Sequence, residues 1–181
     1  MKKFTENRPV AWAVLAVVII GTLLLGGGGA LKSRADAVTA LFTDPDDSIS
    51  YELKQMADSA ELMTSIVQSA DGADMAQVAA VTDAIDTLRT AASVKDKYAG
   101  SVALYTAAEN LYSGASKLEL SDKDQSELDA SYKNYSSAYL SLNEYGEYNE
   151  AVEAFNKVRS GFPAGLIGAL RGIPAAEKFG K

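Results

Sequence analysis

Side chains able to move a proton or hold a metal are unevenly represented in these 181 residues, which contain 24 Asp and Glu and nine Tyr but no His and no Cys. Without Cys there is no disulfide framework, thiolate ligand or thiol nucleophile, and without His the commonest general base and zinc ligand is missing. Any catalysis would fall to carboxylates and phenols. Glu109 and Glu153 lie nearest to apolar seams and are the candidates for a carboxylate-based enzyme. Carboxylate pairs occur throughout an acidic chain, however, and the sequence outlines no cleft around them, so a non-catalytic protein is expected, with no catalytic, cofactor-binding or metal-binding residue. Asp44, Asp46 and Asp47 offer the oxygens that calcium prefers. They lack the Gly and Glu spacing of a calcium loop, and helix capping accounts for them. Tyr132, Tyr135, Tyr139, Tyr145 and Tyr148 put five of the nine tyrosines into seventeen residues. Rings packed along a helix with wet hydroxyls explain them more simply than a partner or glycan surface.

The segments that must carry these groups differ in charge. Residues 1–34 sum to +4 and residues 155–181 to +4, leaving −15 for the stretch between them. An acidic body repels a phosphate backbone, so nucleic acid is not an expected partner. Residues 10–31 form an uncharged run of 22, long enough as a helix to cross a hydrocarbon core of about 30 Å. Trp12 stands near its start, where an indole suits the headgroup boundary. Gly26 to Gly29 should let the helix fray or bend near its far end. The run exceeds the length of a signal-peptide core, which favours a retained signal anchor over cleavage and release of a secreted binding module. Basic residues on the N-terminal side point to a cytoplasmic N-terminus and an extracytoplasmic body.

Beyond the anchor, apolar residues recur with helical period. Ile49, Leu53, Met56, Ala60, Met63, Val67 and Ala70 form one seam, with N-cap chemistry ahead of it at Asp46, Asp47 and Ser48. Val78, Val81, Ile85, Leu88 and Ala92 form a second, and Leu104, Leu111 and Leu118, with Ala108 and Ala115 between them, a third. Ser121 reads as the cap of a further helix whose seam, Leu128, Tyr132, Tyr135, Tyr139 and Leu142, continues in register to Asn156. One helix over about 122–161 is predicted, and with it an antiparallel bundle of about four long helices. The expected organisation is a basic segment 1–9, a transmembrane helix 10–31, a linker 32–47, a helical bundle 48–161 and an apolar, basic tail 162–181.

Near the end of that helix stand Tyr148, Asn149, Val152, Phe155, Asn156, Phe162 and Pro163. Their spacing resembles the signature of the LemA family, whose last helix carries a Tyr-Asn, Val, aromatic-Asn, aliphatic, Phe-Pro pattern. The run Gly165 to Leu170 and the late Phe179 are similar to that family's short tail. The likeness covers about residues 132–179; Tyr145 stands where the family usually has Arg, and Arg159 where it has an aliphatic residue. The stretch Leu53 to Asp58 lacks the two arginines and the Leu-Ile-Pro-Asn-Leu motif of the family's first long helix. A divergent member is the resulting identification, and the resemblance implies a single-pass membrane protein with an all-α bundle and no established reaction.

On the physical reading Tyr148, Val152, Phe155 and Phe162 share one apolar face interrupted by Arg159, and Pro163 ends the helix. Asn149 and Asn156, seven apart, are expected to bond across helices and set register. The tail is expected to fold back over the bundle end rather than lie on a membrane. The partners expected are the lipid bilayer, through residues 10–31, and a protein of the membrane or envelope; self-association is compatible with the pattern. The function expected is that of a scaffold or adaptor in the cell membrane.

Overall fold

The structure, a computed structural model, describes residues 8–144 and 146–180, apart from the side chains of residues 8–11, 13, 16, 20 and 23–25. Seven helices follow one another: α1 (Arg8–Thr43), α2 (Ile49–Gln68), α3 (Met75–Thr90), α4 (Val94–Ala115), α5 (Asp122–Ser141), α6 (Gly146–Ser160) and α7 (Ala164–Arg171). No strand occurs among the described residues, so the all-α class holds. The chain divides into two compact units. One contains residues 40–150 and 177–181 and carries nine basic against 21 acidic side chains; the other contains residues 1–39 and 151–176 and carries eight basic against three acidic.

The acidic unit is built on α2 to α5. Each of these helices opens on a side-chain cap that occupies an otherwise unbonded N–H: Ser48 accepts from Tyr51, Asp74 from Ala76, Ser93 from Asp96 and Ser121 from Asp124. Ser121 also donates to the Asp124 carboxylate at 2.7 Å. The expected seams face inward: Ile49, Leu53, Met56, Ala60, Met63 and Val67 are buried, as are Val78, Val81, Ile85 and Leu88, and Leu104, Ala108, Leu111 and Ala115. Ala70 and Ala92 lie just beyond the ends of α2 and α3. Connections of three to six residues join these four helices, as antiparallel neighbours require. The direction is explicit between α4 and α5, where Tyr105 stacks on Tyr139 at 4.1 Å and Tyr112 on Tyr132 at 3.8 Å. Between α3 and α4, a Cβ on Gly100 would lie 3.1 Å from the Leu88 Cα, so the missing side chain lets the two backbones approach.

The single helix expected over 122–161 is two. The α-helical ladder lapses after Ser141, where Asn143 N–H bonds Leu140 and Glu144 N–H bonds Ser141, three residues back instead of four. Residue 145 lies outside the described residues, and α6 starts at Gly146.

α1 runs without interruption through Gly26–Gly29, where fraying was expected, and through much of the segment read as a linker, as far as Thr43. The glycines are used for close packing: a Cβ on Gly27 would lie 2.7 Å from the Ile167 Cδ1, and one on Gly28 would meet the Arg171 guanidinium. α7 is thereby seated against α1. Among the described residues no helix is long and apolar enough to cross a membrane. Eight side chains of the run read as a transmembrane helix, at positions 10, 11, 13, 16, 20 and 23–25, lie outside the described residues.

Tyrosine chemistry shapes the pH dependence of the acidic unit. Hydrogen bonding to a carboxylate raises the pKa of Tyr132, through Glu109 at 2.8 Å, and of Tyr112, through Asp129 at 2.9 Å. Burial raises that of Tyr135 far above the ordinary phenol value, and its hydroxyl has no hydrogen-bond partner among the described residues. A phenol whose pKa is raised by folding contributes its full stability below the unfolded value, 10.0, and loses it as pH climbs. Stability should therefore fall above about pH 10, and Tyr135→Phe should reduce the slope by roughly 1.4 kcal/mol per pH unit. At neutral pH the same substitution should leave stability unchanged or raise it by up to about 1 kcal/mol, because an unsatisfied buried hydroxyl is removed. Urea denaturation of both proteins at pH 7 and in the alkaline range checks both effects; a clear loss at neutral pH would mean that the hydroxyl is bonded.

Candidate functional site

The seven signature residues and Arg159 fall into two groups, one in each unit. In the acidic unit, Tyr148 is buried with its ring 5.4 Å from that of Phe42, and its hydroxyl donates to the Glu177 carbonyl at 2.8 Å. Asn149 beside it uses both halves of its amide: Nδ2 donates to the Phe179 carbonyl at 2.7 Å, and Oδ1 accepts from the Phe179 N–H at 2.9 Å. The Phe179 ring is buried, edge-on to Tyr98 at 5.3 Å and 6.2 Å from Phe42. The Glu177 carboxylate accepts from the Lys95 N–H, in the first turn of α4, where the helix dipole favours negative charge. Burial is the main cause that raises the Tyr148 phenol, with the Glu177 charge adding to it.

In the other unit, Asn156 repeats the arrangement. Its Nδ2 donates to the Ala176 carbonyl at 2.8 Å and its Oδ1 accepts from the Ala176 N–H at 2.9 Å. Arg159 donates from Nε to the Ile173 carbonyl at 2.7 Å. Val152 and Phe155 are buried. The expected bonding of Asn149 and Asn156 across helices is therefore corrected: their partners are backbone groups of the non-helical tail, at Phe179 and Ala176.

The remaining two signature residues play other parts. Phe162 is 87% exposed and lies beyond α6, which ends at Ser160, so it does not continue the buried face. Pro163 precedes α7 and its carbonyl accepts the Ile167 N–H. It therefore opens the next helix, three residues after α6 has already stopped.

Phe155 also forms part of an open cleft of about 450 Å³, with Lys32, Asp36 and Thr39 of α1 on one side and Arg171 to Ala176 on the other. Asn156 and Arg159 hold the tail side of this cleft in place. Lys32 and Asp36 pair at 2.8 Å with both side chains largely exposed, an arrangement of little energetic weight in water. Of the carboxylates considered for catalysis, Glu109 is half-buried and accepts from Tyr132, and Glu153 is exposed. Asp44 accepts the Asp46 N–H at 3.0 Å, the role of a turn residue. No cluster of metal-ligating side chains occurs among the described residues. Sequence reasoning missed Arg159 as a functional partner of the tail, although its position on an otherwise apolar face was the signal.

No family model, no curated protein and no solved structure matches the chain.

If the asparagines hold the tail, Asn156→Ala should free Ala176 and Asn149→Ala should free Phe179. Each removes two hydrogen bonds and should destabilise its attachment by about 1–3 kcal/mol. Amide hydrogen exchange should then accelerate by roughly 10- to 100-fold at the released residue. Asn156→Asp, which keeps the acceptor and loses the donor, should fall between wild type and Asn156→Ala. Unchanged exchange at Ala176 in Asn156→Ala would contradict the assignment.

Proposed function

We propose that this chain is a divergent LemA-like single-pass membrane protein, anchored through residues 10–31, whose helical bundle serves as a non-catalytic scaffold or adaptor for other membrane or envelope proteins. The observation that carries the reading is the character of the first part of α1. Trp12, Val14, Leu15, Val17, Val18 and Ile19 are all exposed, on a run of 22 residues without a charge. Consecutive exposed positions go round a helix, and a helix apolar on every side belongs in a core or in lipid. Burying each such side chain is worth about 1.5–3 kcal/mol.

The charge distribution supports the same reading. The unit that includes this segment is basic and the larger unit acidic, a division suited to holding one part against anionic lipid and the other in water. The N-terminus is placed in the cytoplasm and the bundle outside, following the basic residues ahead of the run. The scaffold role rests on the tail attachment, since the LemA-like signature residues Tyr148, Asn149 and Asn156 are spent on architecture.

Val17→Asp combined with Val18→Asp should move the protein from the alkali-resistant membrane fraction to the supernatant, because each charge near the centre of a spanning helix opposes insertion by about 2.5–3.5 kcal/mol. Wild-type protein with a C-terminal tag should stay with membranes, retain residues 1–31 in its measured mass and lose the tag to protease added outside spheroplasts. A mass lacking the apolar run would establish the secreted alternative, and a tag cut only after lysis would reverse the orientation.

A further inference from the structure

The basic unit carries a second apolar surface that the anchor alone does not explain. α7 has two faces. On the inner face Ile167 is buried and packs against Gly27, while Arg171 lies over Gly28. On the outer face Leu166 and Leu170, four residues apart and therefore one above the other, are 44% and 59% exposed, with the exposed Phe162 two residues ahead of the helix. Gly27 and Gly28 belong to the last turns of the uncharged run, just before Lys32. The contact with these glycines thus fixes α7 at the level where that run gives way to charge. The charged side chains in this part of the unit are Lys32, Arg34, Lys157, Arg159 and Arg171 against Asp36 and Glu153.

We propose that α7 is a membrane-interface helix, with Phe162, Leu166 and Leu170 entering the headgroup–acyl boundary of an anionic phospholipid bilayer beside the anchor. Lys32, Arg34 and Lys157 meet the lipid phosphates. The inference rests on the reading of residues 10–31 as the anchor. Lipid is the occupant that fits because the stripe adjoins the anchor through the Ile167–Gly27 contact, and because the surrounding charge is of the sign that anionic headgroups attract. A short helix with one apolar stripe and basic neighbours gains from lying in the interface plane, and tethering to a spanning helix removes most of the entropic cost of bringing it there.

The chain has no cysteine, so single replacements can carry an environment-sensitive fluorophore at one known place. Full-length Leu166→Cys and Leu170→Cys proteins would be labelled alongside Ile19→Cys on α1 and Leu62→Cys, exposed on α2. Each would be reconstituted into phosphatidylcholine vesicles with about one-third phosphatidylglycerol. Circular dichroism would establish that each variant retains its helix content. Quenching would be read with lipids spin-labelled either near the headgroup or deep in the acyl chain. The expected result is deep quenching at position 19 and shallow quenching at 166 and 170 about threefold or more above that at 62. Replacing phosphatidylglycerol by phosphatidylcholine should weaken the signal at 166 and 170 by roughly twofold without changing position 19. Quenching at 19 with 166 and 170 behaving like 62 would overturn the proposal and leave the stripe to a protein partner. Quenching absent at 19 as well would overturn the anchor reading and this inference with it. An unchanged signal in uncharged vesicles would overturn the role of the basic side chains.

Discussion

A polypeptide segment in neither helix nor sheet has no regular partner for its N–H and C=O groups, and each group left dry and unpaired is costly. Side chains of α6 meet part of that need, at Ile173, Ala176, Glu177 and Phe179. A carboxamide carries a donor and an acceptor side by side in one plane, so an asparagine can pair with both polar groups of a single backbone residue. Asn149 and Asn156 each do this, and Tyr148 and Arg159 donate to carbonyls at Glu177 and Ile173. Three other features depend on this attachment: the burial of Phe179, the carboxylate at the start of α4 and one wall of the cleft beside Phe155.

Small residues have a comparable role elsewhere. Gly100 brings α4 against the Leu88 backbone, and Gly27 and Gly28 admit α7 to the surface of α1. These positions illustrate two energetic regimes. At Gly100 a new side chain would meet a backbone atom, which cannot swing away, whereas at Gly27 and Gly28 it would meet the ends of flexible side chains. An alanine at the latter sites is partly offset by its better helix propensity, roughly 1 kcal/mol over glycine.

The features legible in the sequence were those with a side-chain period. The seams from Ile49 to Val67 and from Val78 to Leu88 announce their buried faces because burial selects apolar residues every three or four positions. Ser48 and Ser121 announce helix starts because a hydroxyl there satisfies an otherwise unbonded N–H. The division between α5 and α6 was hidden because the apolar register resumes on the far side, and a register cannot reveal that the ladder between Ser141 and Gly146 has changed its step. The partners of Asn149 and Asn156 were hidden for a different reason. They are main-chain atoms at Phe179 and Ala176, and every residue except proline offers the same two groups. Arg159 looked like a flaw in an apolar face; its guanidinium reaches past that face to a carbonyl.

The order of synthesis gives the basic unit a peculiarity. It is assembled from two segments, residues 1–39 and 151–176, with the whole of the α2–α5 bundle between them in sequence. A ribosome releases the apolar part of α1 first and the helix that packs on Gly27 and Gly28 only after the bundle has been made. Throughout that interval Gly27 and Gly28 lack the helix that packs on them and the apolar run ahead of them is exposed, which invites either capture by lipid or aggregation. Early delivery to a bilayer would remove the hazard, with the late segment then docking onto a helix already in place.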